Sequence, residues 1–211
     1  ANGRSQMHLS GDFGETWQGI LYGKSYGLGD GLAIKFLSHD DSDQTIIATD
    51  ANSGDLYYSN NLGKDWESAT GLIDIEHSLF EESFGIHNVE EATSNPMVLY
   101  AGYIQSKIKG QDPHQLDEIE QSPGMYKSID GGMSWFPINN GLPDKDYSRN
   151  ISDIAVSKQN ENIVYINSLF DGLYYTVDGG ESWNHLKGEL PAGLSWDCLL
   201  YTSDAADDEL G

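Results

Sequence analysis

Seven side chains between positions 80 and 114 are of the types that handle a ligand. Phe80 and Phe84 offer flat apolar faces on which a sugar ring or alkyl chain stacks, and Tyr103 adds a ring with a hydroxyl. Glu81, Glu82, His87 and His114 can hydrogen-bond, exchange protons or help hold a cation. Five of the seven fall in IEHSLFEESFGIHN (75–88), and His114 falls in QSKIKGQDPHQLDEIEQSP (105–123). The same residue types also serve plainer ends. Phenylalanines pack under loops, Asp112, Asp117, Glu118 and Glu120 make a solvated face, and Leu116 and Ile119 have the spacing of one short helix. Which use holds depends on the elements that carry them.

Other chemistry is poorly represented. The six histidines are scattered, with no His-Glu-x-x-His arrangement for a metal. SHDDSDQ (38–44) clusters acids but lacks the glycine and closing glutamate of a calcium loop, so it reads as a solvated turn. Gly23-Lys24-Ser25 lacks the upstream glycine of a phosphate loop, since Gln18 stands in its place. No metal or other cofactor is expected. Acids outnumber bases 34 to 11, a formal net charge of −23, and such a field repels phosphate backbones, which argues against nucleic acid as a partner. No apolar run approaches the roughly 18 residues of a membrane helix.

The elements are announced by a repeat. Four eight-residue words, SGDFGETW (10–17), SNNLGKDW (59–66), SIDGGMSW (128–135) and TVDGGESW (176–183), share the form Ser/Thr-x-Asp-x-Gly-x-Ser/Thr-Trp. The second departs, with Asn61 for the acid and Asp65 for the hydroxyl. Successive tryptophans stand 49, 69 and 48 residues apart, and periods above about 40 residues point to stacked or radial units. Between the words lie short segments rich in β-branched and aromatic residues, separated by Gly, Asn, Asp and Ser clusters. Four such segments per unit predict a four-stranded antiparallel sheet, with each word closing the hairpin from the third strand to the fourth.

Each residue of the word has a physical task in such a hairpin. Gly14, Gly63, Gly132 and Gly180 supply the positive φ that the tight turn needs. Asp12, Asn61, Asp130 and Asp178 accept bonds from turn amides. Ser10, Ser59, Ser128 and Thr176 tie the turn to nearby backbone. Trp17, Trp66, Trp135 and Trp183 bury their rings between sheets. The word is thus expected to be a fold device rather than a ligand contact.

These residues resemble the BNR, or Asp-box, repeat of sialidases, xyloglucanases, sortilin-type receptors and photosystem assembly factors, over about residues 10–190. The resemblance implies an all-β, partial β-propeller: a remnant (1–30), then blades at 31–72, 73–143 with the insert 105–123, and 144–193. Three blades are too few to close a ring, so an open arc is expected. A sialidase would require three arginines around the substrate carboxylate, and only Arg4 and Arg149 are present. A xyloglucanase-like enzyme would use two acids facing across a cleft on different blades. The leading expectation is a non-catalytic, extracellular or periplasmic propeller binding a protein, peptide or glycan. A glycoside hydrolase is second and an assembly factor third.

Both ends of the chain read as cut. It opens on Ala1, and CLLYTSDAAD (198–207), which contains the one cysteine, Cys198, resembles the translation of a sequencing-library adapter, so the tail is set aside from fold reasoning. Strand alternation puts the words at one end of each sheet and the segments 75–88 and 105–123 at the other. Ligand chemistry is therefore expected at the rim opposite the words.

Overall fold

The computed structural model describes residues 8–10, 12–19, 34–36, 45–49, 55–72, 85–104, 123–143, 149–168 and 171–186. Among them there is no α-helix. A two-stranded sheet, β1 (His8–Leu9) and β2 (Gln18–Gly19), comes first in chain order. Three four-stranded antiparallel sheets follow. The first holds β3 (Ile34–Phe36), β4 (Ile46–Thr49), β5 (Leu56–Ser59) and β6 (Glu67–Ser68). The second holds β7 (Gly85–Glu91), β8 (Leu99–Ile104), β9 (Met125–Ser128) and β10 (Phe136–Pro137), and the third β11 (Ile151–Val156), β12 (Val164–Ser168), β13 (Gly172–Thr176) and β14 (Asn184–His185). In each sheet the strands neighbour one another in chain order. This is a partial β-propeller with three blades and a two-stranded piece of another.

The register makes the blades superimposable. Ile47 pairs with Tyr58, Tyr100 with Lys127, and Tyr165 with Tyr175, each one place before the first residue of a box. Alternation then sorts the side chains. Ile47 and Leu56 of the first blade meet Ile86, Val89, Leu99, Ala101, Tyr103, Tyr126 and Trp135 in one core layer. Tyr100 and Met125, on the other face of the second blade, meet Ile151, Ile154, Val164, Ile166, Tyr174 and Trp183 in the next layer. Sheets packed face to face in this way bury two apolar surfaces with one set of contacts.

The hairpins show why the box is built as it is. Ser128 Oγ donates to Asp130 at 2.8 Å and accepts from the Gly132 amide at 2.9 Å. Asp130 in turn accepts from the Ser134 amide at 2.9 Å and from the Ser134 hydroxyl at 2.5 Å. Two other boxes repeat the pattern: Thr176 and Ser182 hold Asp178, and Ser10 and Thr16 hold Asp12. Box two reverses one polarity. Asn61 Nδ2 donates to the Asp65 carboxylate at 2.9 Å, while Asn61 Oδ1 still accepts the Asp65 amide at 2.9 Å. The departure in the sequence is therefore a swap of donor and acceptor in one bond, with the loop unchanged.

Two features differ from the reading of the sequence. The turn has two residues at positive φ, not one: Gly131 (70°) and Gly132 (91°), but Phe13 (58°) and Leu62 (58°) in the first position of the earlier boxes. Two successive left-handed residues form the centre of a tight turn inside the seven-residue connection from third to fourth strand (129–135 in the second blade), and a side chain there is tolerated at some strain. Second, the tryptophans are not equally buried. Trp135 and Trp183 are 3% and 4% exposed, Trp66 is half-buried, and Trp17 is 63% exposed. The reason lies in what each box touches. The Trp135 amide donates to Thr70 O at 2.9 Å and the Trp183 amide to Asn140 O at 2.9 Å, so each of these boxes docks on the outer end of the blade before it. Among the described residues no sheet precedes β1, and no bond of this kind is made by Trp17.

Candidate functional site

The first strands of the second and third blades carry an irregularity that shapes the rim away from the boxes. In β7 the register with β8 slips between Ile86 and Asn88, and in β11 the register with β12 slips between Ile151 and Asp153. His87 and Ser152 are the extra residues of two bulges at matching places. A bulge bends its strand and re-aims the side chains beside it. The local sequences explain it. Ile86-His87-Asn88-Val89 and Ile151-Ser152-Asp153-Ile154 each put two polar residues where strict alternation allows one. The extra residue lets Ile86 and Val89, or Ile151 and Ile154, both reach the core.

The bulges are joined across the blades. Asn88 Nδ2 donates to the Ser152 carbonyl at 2.5 Å. Asn167 Nδ2 donates to Ser152 Oγ at 2.9 Å, and Ser152 Oγ donates to the Asn167 carbonyl at 3.3 Å. Two buried atoms in this region find no hydrogen-bond partner: His87 Nε2 and Asn167 Oδ1. Leaving a buried polar atom open costs roughly 1–3 kcal/mol, and such atoms are uncommon in folded proteins. Burial also lowers the pKa of His87, so its imidazole is held neutral with one nitrogen as a donor and one as an acceptor.

Two acids lie close to this network. Asp153 is half-buried, and its pKa is raised first by burial and further by the charge of Glu90, against a lowering bond from the Ile154 amide at 2.9 Å. Glu90 belongs to β7 and Asp153 to β11, so the two carboxylates come from neighbouring blades. Among the described residues no three His, Cys, Asp or Glu side chains gather into a metal site.

Of the residues singled out in the sequence, His87 and Tyr103 are described. Tyr103 lies opposite Ile86 in the β7–β8 pair, one place from the bulge, but it is 4% exposed and belongs to the core layer between the first two blades. Burial raises its pKa far above the ordinary phenol range. Its ring supports the strand and is not offered to solvent. Phe80, Glu81, Glu82, Phe84 and His114 fall in 73–84 and 105–122, outside the described residues, as do SHDDSDQ and Gly23-Lys24-Ser25. Asn88, Ser152, Asp153, Asn167 and Glu90 were not picked out from the sequence. The doubled polar pair in Ile-His-Asn-Val and Ile-Ser-Asp-Ile is the signal that would have found the first three. Arg149 is used structurally, its Nε donating to the Pro143 carbonyl at 2.6 Å.

The box hairpins, by contrast, are closed systems. Hydrogen bonds from Ser182 and Thr176 hold the Asp178 carboxylate down to about pKa 2, and bonds from Thr16 and Ser10 lower Asp12. At Asp130 burial works the other way, but the bonds from Ser134 and Ser128 prevail and the pKa is lowered. Each acid has its bonds spent within its own turn.

Neither a protein-family profile nor a characterised protein matches the chain by sequence. Solved structures do match by shape. The GH74 enzyme of Niastella koreensis is 18% identical with a TM-score of 0.57, over 86% of this chain and 26% of that one. An ancestral GH74 enzyme is 18% identical with a TM-score of 0.61, over 90% of this chain and 22% of that one. A YCF48 protein bound to a D1 peptide overlaps at 16% identity and a TM-score of 0.44, over 74% of this chain and 43% of that one, too loosely to carry an argument. The chain spans about a quarter of the length of the GH74 enzymes it resembles. At this identity the likeness is one of fold, and the chain is a β-propeller segment.

Proposed function

We propose that this chain is part of a non-catalytic binding propeller of the Asp-box type, whose ligand (a protein, peptide or glycan) is taken at the rim opposite the box hairpins. The observation that carries the reading is the half-buried His87, the extra residue of the β7 bulge at the rim opposite the boxes, beside Asn88, which ties that rim to Ser152 of the next blade. A neutral imidazole at such a position can exchange hydrogen bonds with hydroxyl or amide groups of an uncharged ligand. The acidic surface suits an extracellular or periplasmic setting. The box residues are fold devices in this reading, because their polar atoms are already satisfied.

The test is a screen against immobilised glycans and peptides, followed by titration of each hit with His87→Ala and Val177→Ser variants. Binding at this rim requires at least a tenfold loss in His87→Ala and little change in Val177→Ser, which alters the box end. Equal affinity in His87→Ala, or loss in Val177→Ser alone, would reject the site.

A second reading rests on a separate observation. Glu90 and Asp153 come from neighbouring blades, and Asp153 has the raised pKa that a general acid needs. A glycoside hydrolase built on this pair would release reducing sugar from xyloglucan or a related polysaccharide, and Glu90→Gln and Asp153→Asn would each abolish that release. Turnover unchanged in either variant rules out this pair.

A further inference from the structure

Two places in the chain receive the box of the following blade, and they are built alike. The Trp135 amide donates to Thr70 O and the Trp183 amide to Asn140 O, both at 2.9 Å. Each accepting residue is followed by a glycine pressed against the incoming tryptophan's backbone. An added Cβ would overlap Trp135 O at Gly71 and Trp183 O at Gly141. Both glycines are at positive φ, 82° and 90°. A threonine precedes one and an asparagine the other. Docking therefore requires the carbonyl and the glycine, and tolerates different side chains before the glycine.

Asn140 adds a second bond. Its Nδ2 donates to Glu181 O at 2.9 Å, so backbone and side chain together hold the box at 176–183, and the residue is exposed. It also forms an Asn-Gly pair, the context in which asparagine deamidates most readily, because glycine puts no side chain in the way of the reacting amide. In that reaction the Gly141 nitrogen gives its proton to base and bonds to Asn140 Cγ, while the Cγ–Nδ2 bond breaks and ammonia leaves. Water then opens the cyclic imide at either carbonyl. One opening gives aspartate. The other gives isoaspartate, in which the main chain runs through the former side chain and the α-carboxylate hangs from it. Thr70 has no carboxamide and cannot follow this course.

We infer that Asn140–Gly141 is a deamidation site that reacts only when the joint between the second and third blades opens, and whose products then weaken that joint. The docked geometry holds the reacting atoms apart. The Leu142 amide donates to Asn139 O at 3.0 Å, and Gly141 at φ 90° makes 139–142 a type II turn. The residue before the glycine in such a turn is extended, which points the Gly141 nitrogen away from Asn140 Cγ. The imide forms after the turn and the Nδ2–Glu181 bond let go. Both products then oppose reclosing. Aspartate sets an acceptor against Glu181 O where a donor stood, and adds charge to a chain already at −23. Isoaspartate lengthens the backbone by one carbon and displaces the carbonyl that takes the Trp183 amide. Nothing in the chain restores the amide, so the change runs one way.

The full chain tests this by peptide mapping with mass spectrometry during incubation in mildly alkaline buffer, either folded or unfolded in guanidinium chloride. The Asn140 peptide is expected to gain one mass unit, about tenfold to a hundredfold more slowly in the folded chain, because reaction waits on local opening. Hydrogen exchange at the Trp183 amide reads the joint itself. It should be about tenfold faster in the aged chain than in the fresh one, and faster in Asn140→Asp as well. Asn140→Thr, which copies Thr70, should show no mass gain and no change in that exchange on ageing. Equal deamidation rates in the folded and unfolded chains would overturn the proposal. So would a folded chain unmodified at Asn140 after about a hundred half-times of the unfolded reaction, or an aged chain whose Trp183 amide exchanges as slowly as the fresh one.

Discussion

The boxes at 10–17 and 128–135 have nearly the same internal hydrogen bonds and opposite surroundings. In both, a serine hydroxyl bridges the acid and the glycine amide, the acid takes the amide and hydroxyl four residues on, and the indole nitrogen donates to the glycine carbonyl. Yet Trp17 is 63% exposed and Trp135 3%. The turn therefore builds itself from local bonds, and burial is added by the neighbouring sheet. Local hydrogen bonds specify the hairpin's shape, while the preceding blade decides how much stability the tryptophan supplies.

Tryptophan truncation should break the comparison most visibly. Trp135→Ala empties a closed site and is expected to cost about 3–5 kcal/mol in denaturant unfolding, whereas Trp17→Ala should cost under about 1 kcal/mol in the dilute chain. Similar losses at the two positions would mean that burial by the preceding blade is not what distinguishes them.

Glycine substitution separates strain from crowding. Gly14 and Gly132 share a φ near 90°, so alanine suffers the same backbone penalty at both, on the order of 1–2 kcal/mol. Among the described residues the new Cβ at Gly14 meets Trp17 Cζ2 at an ordinary 3.6 Å, but at Gly132 it meets Ile47 at 2.3 Å. Gly132→Ala should therefore be worse than Gly14→Ala by about 1–3 kcal/mol, and Ile47→Ala added to Gly132→Ala should recover part of that excess. A non-additive double mutant of the opposite sign would refute the crowding argument.

The swapped pair in the second box gives a sharper test at smaller amplitude. Asn61→Asp alone sets two carboxylates against each other where an amide now donates, and should destabilise by about 1 kcal/mol. Combining it with Asp65→Ser recreates the arrangement of Asp130 and Ser134 and should return the melting temperature to within about a degree or two of wild type. A double variant less stable than Asn61→Asp would show that the loop is not interchangeable between boxes.

Two pH effects are smaller still. Asp178 has a pKa of about 2 in the fold against 3.8 ordinarily, so its bonds stabilise the protein above pH 3.8 and that contribution is lost as pH falls toward 2. Asp178→Asn should flatten the decline in melting temperature across that window. His87 is a base whose pKa is lowered by burial from 6.5, so the unfolded chain binds its proton first and stability falls as pH drops through 6.5. His87→Gln should remove that slope, and a slope that persists would place its origin elsewhere.

Much of the fold was legible because it is written in local terms. The boxes announce tight turns through Gly, Asp and Ser spacing, and segments such as GLYYT and IVYINS announce strands through β-branched and aromatic content. The bulges at His87 and Ser152 were legible in principle, as doubled polar residues inside an alternating run, but period-2 reading passes over a single break. The site itself was harder. Tyr103 and His87 look alike in sequence as polar residues near a strand end, and only the packing shows that Tyr103 faces a core layer while His87 sits at a bulge with an open nitrogen.

The sequence by itself determined the hairpins, the four-strand period and the acidic surface, since each follows from residues within a few positions of one another or from simple counting. Tertiary structure alone decided which tryptophans are buried, that Asn88 reaches Ser152, and that Asp153 feels the charge of Glu90. The physical reason is distance along the chain. Asn88 and Ser152 are 64 residues apart, and no local preference encodes which strand face meets which until the blades pack and alternation settles the sides.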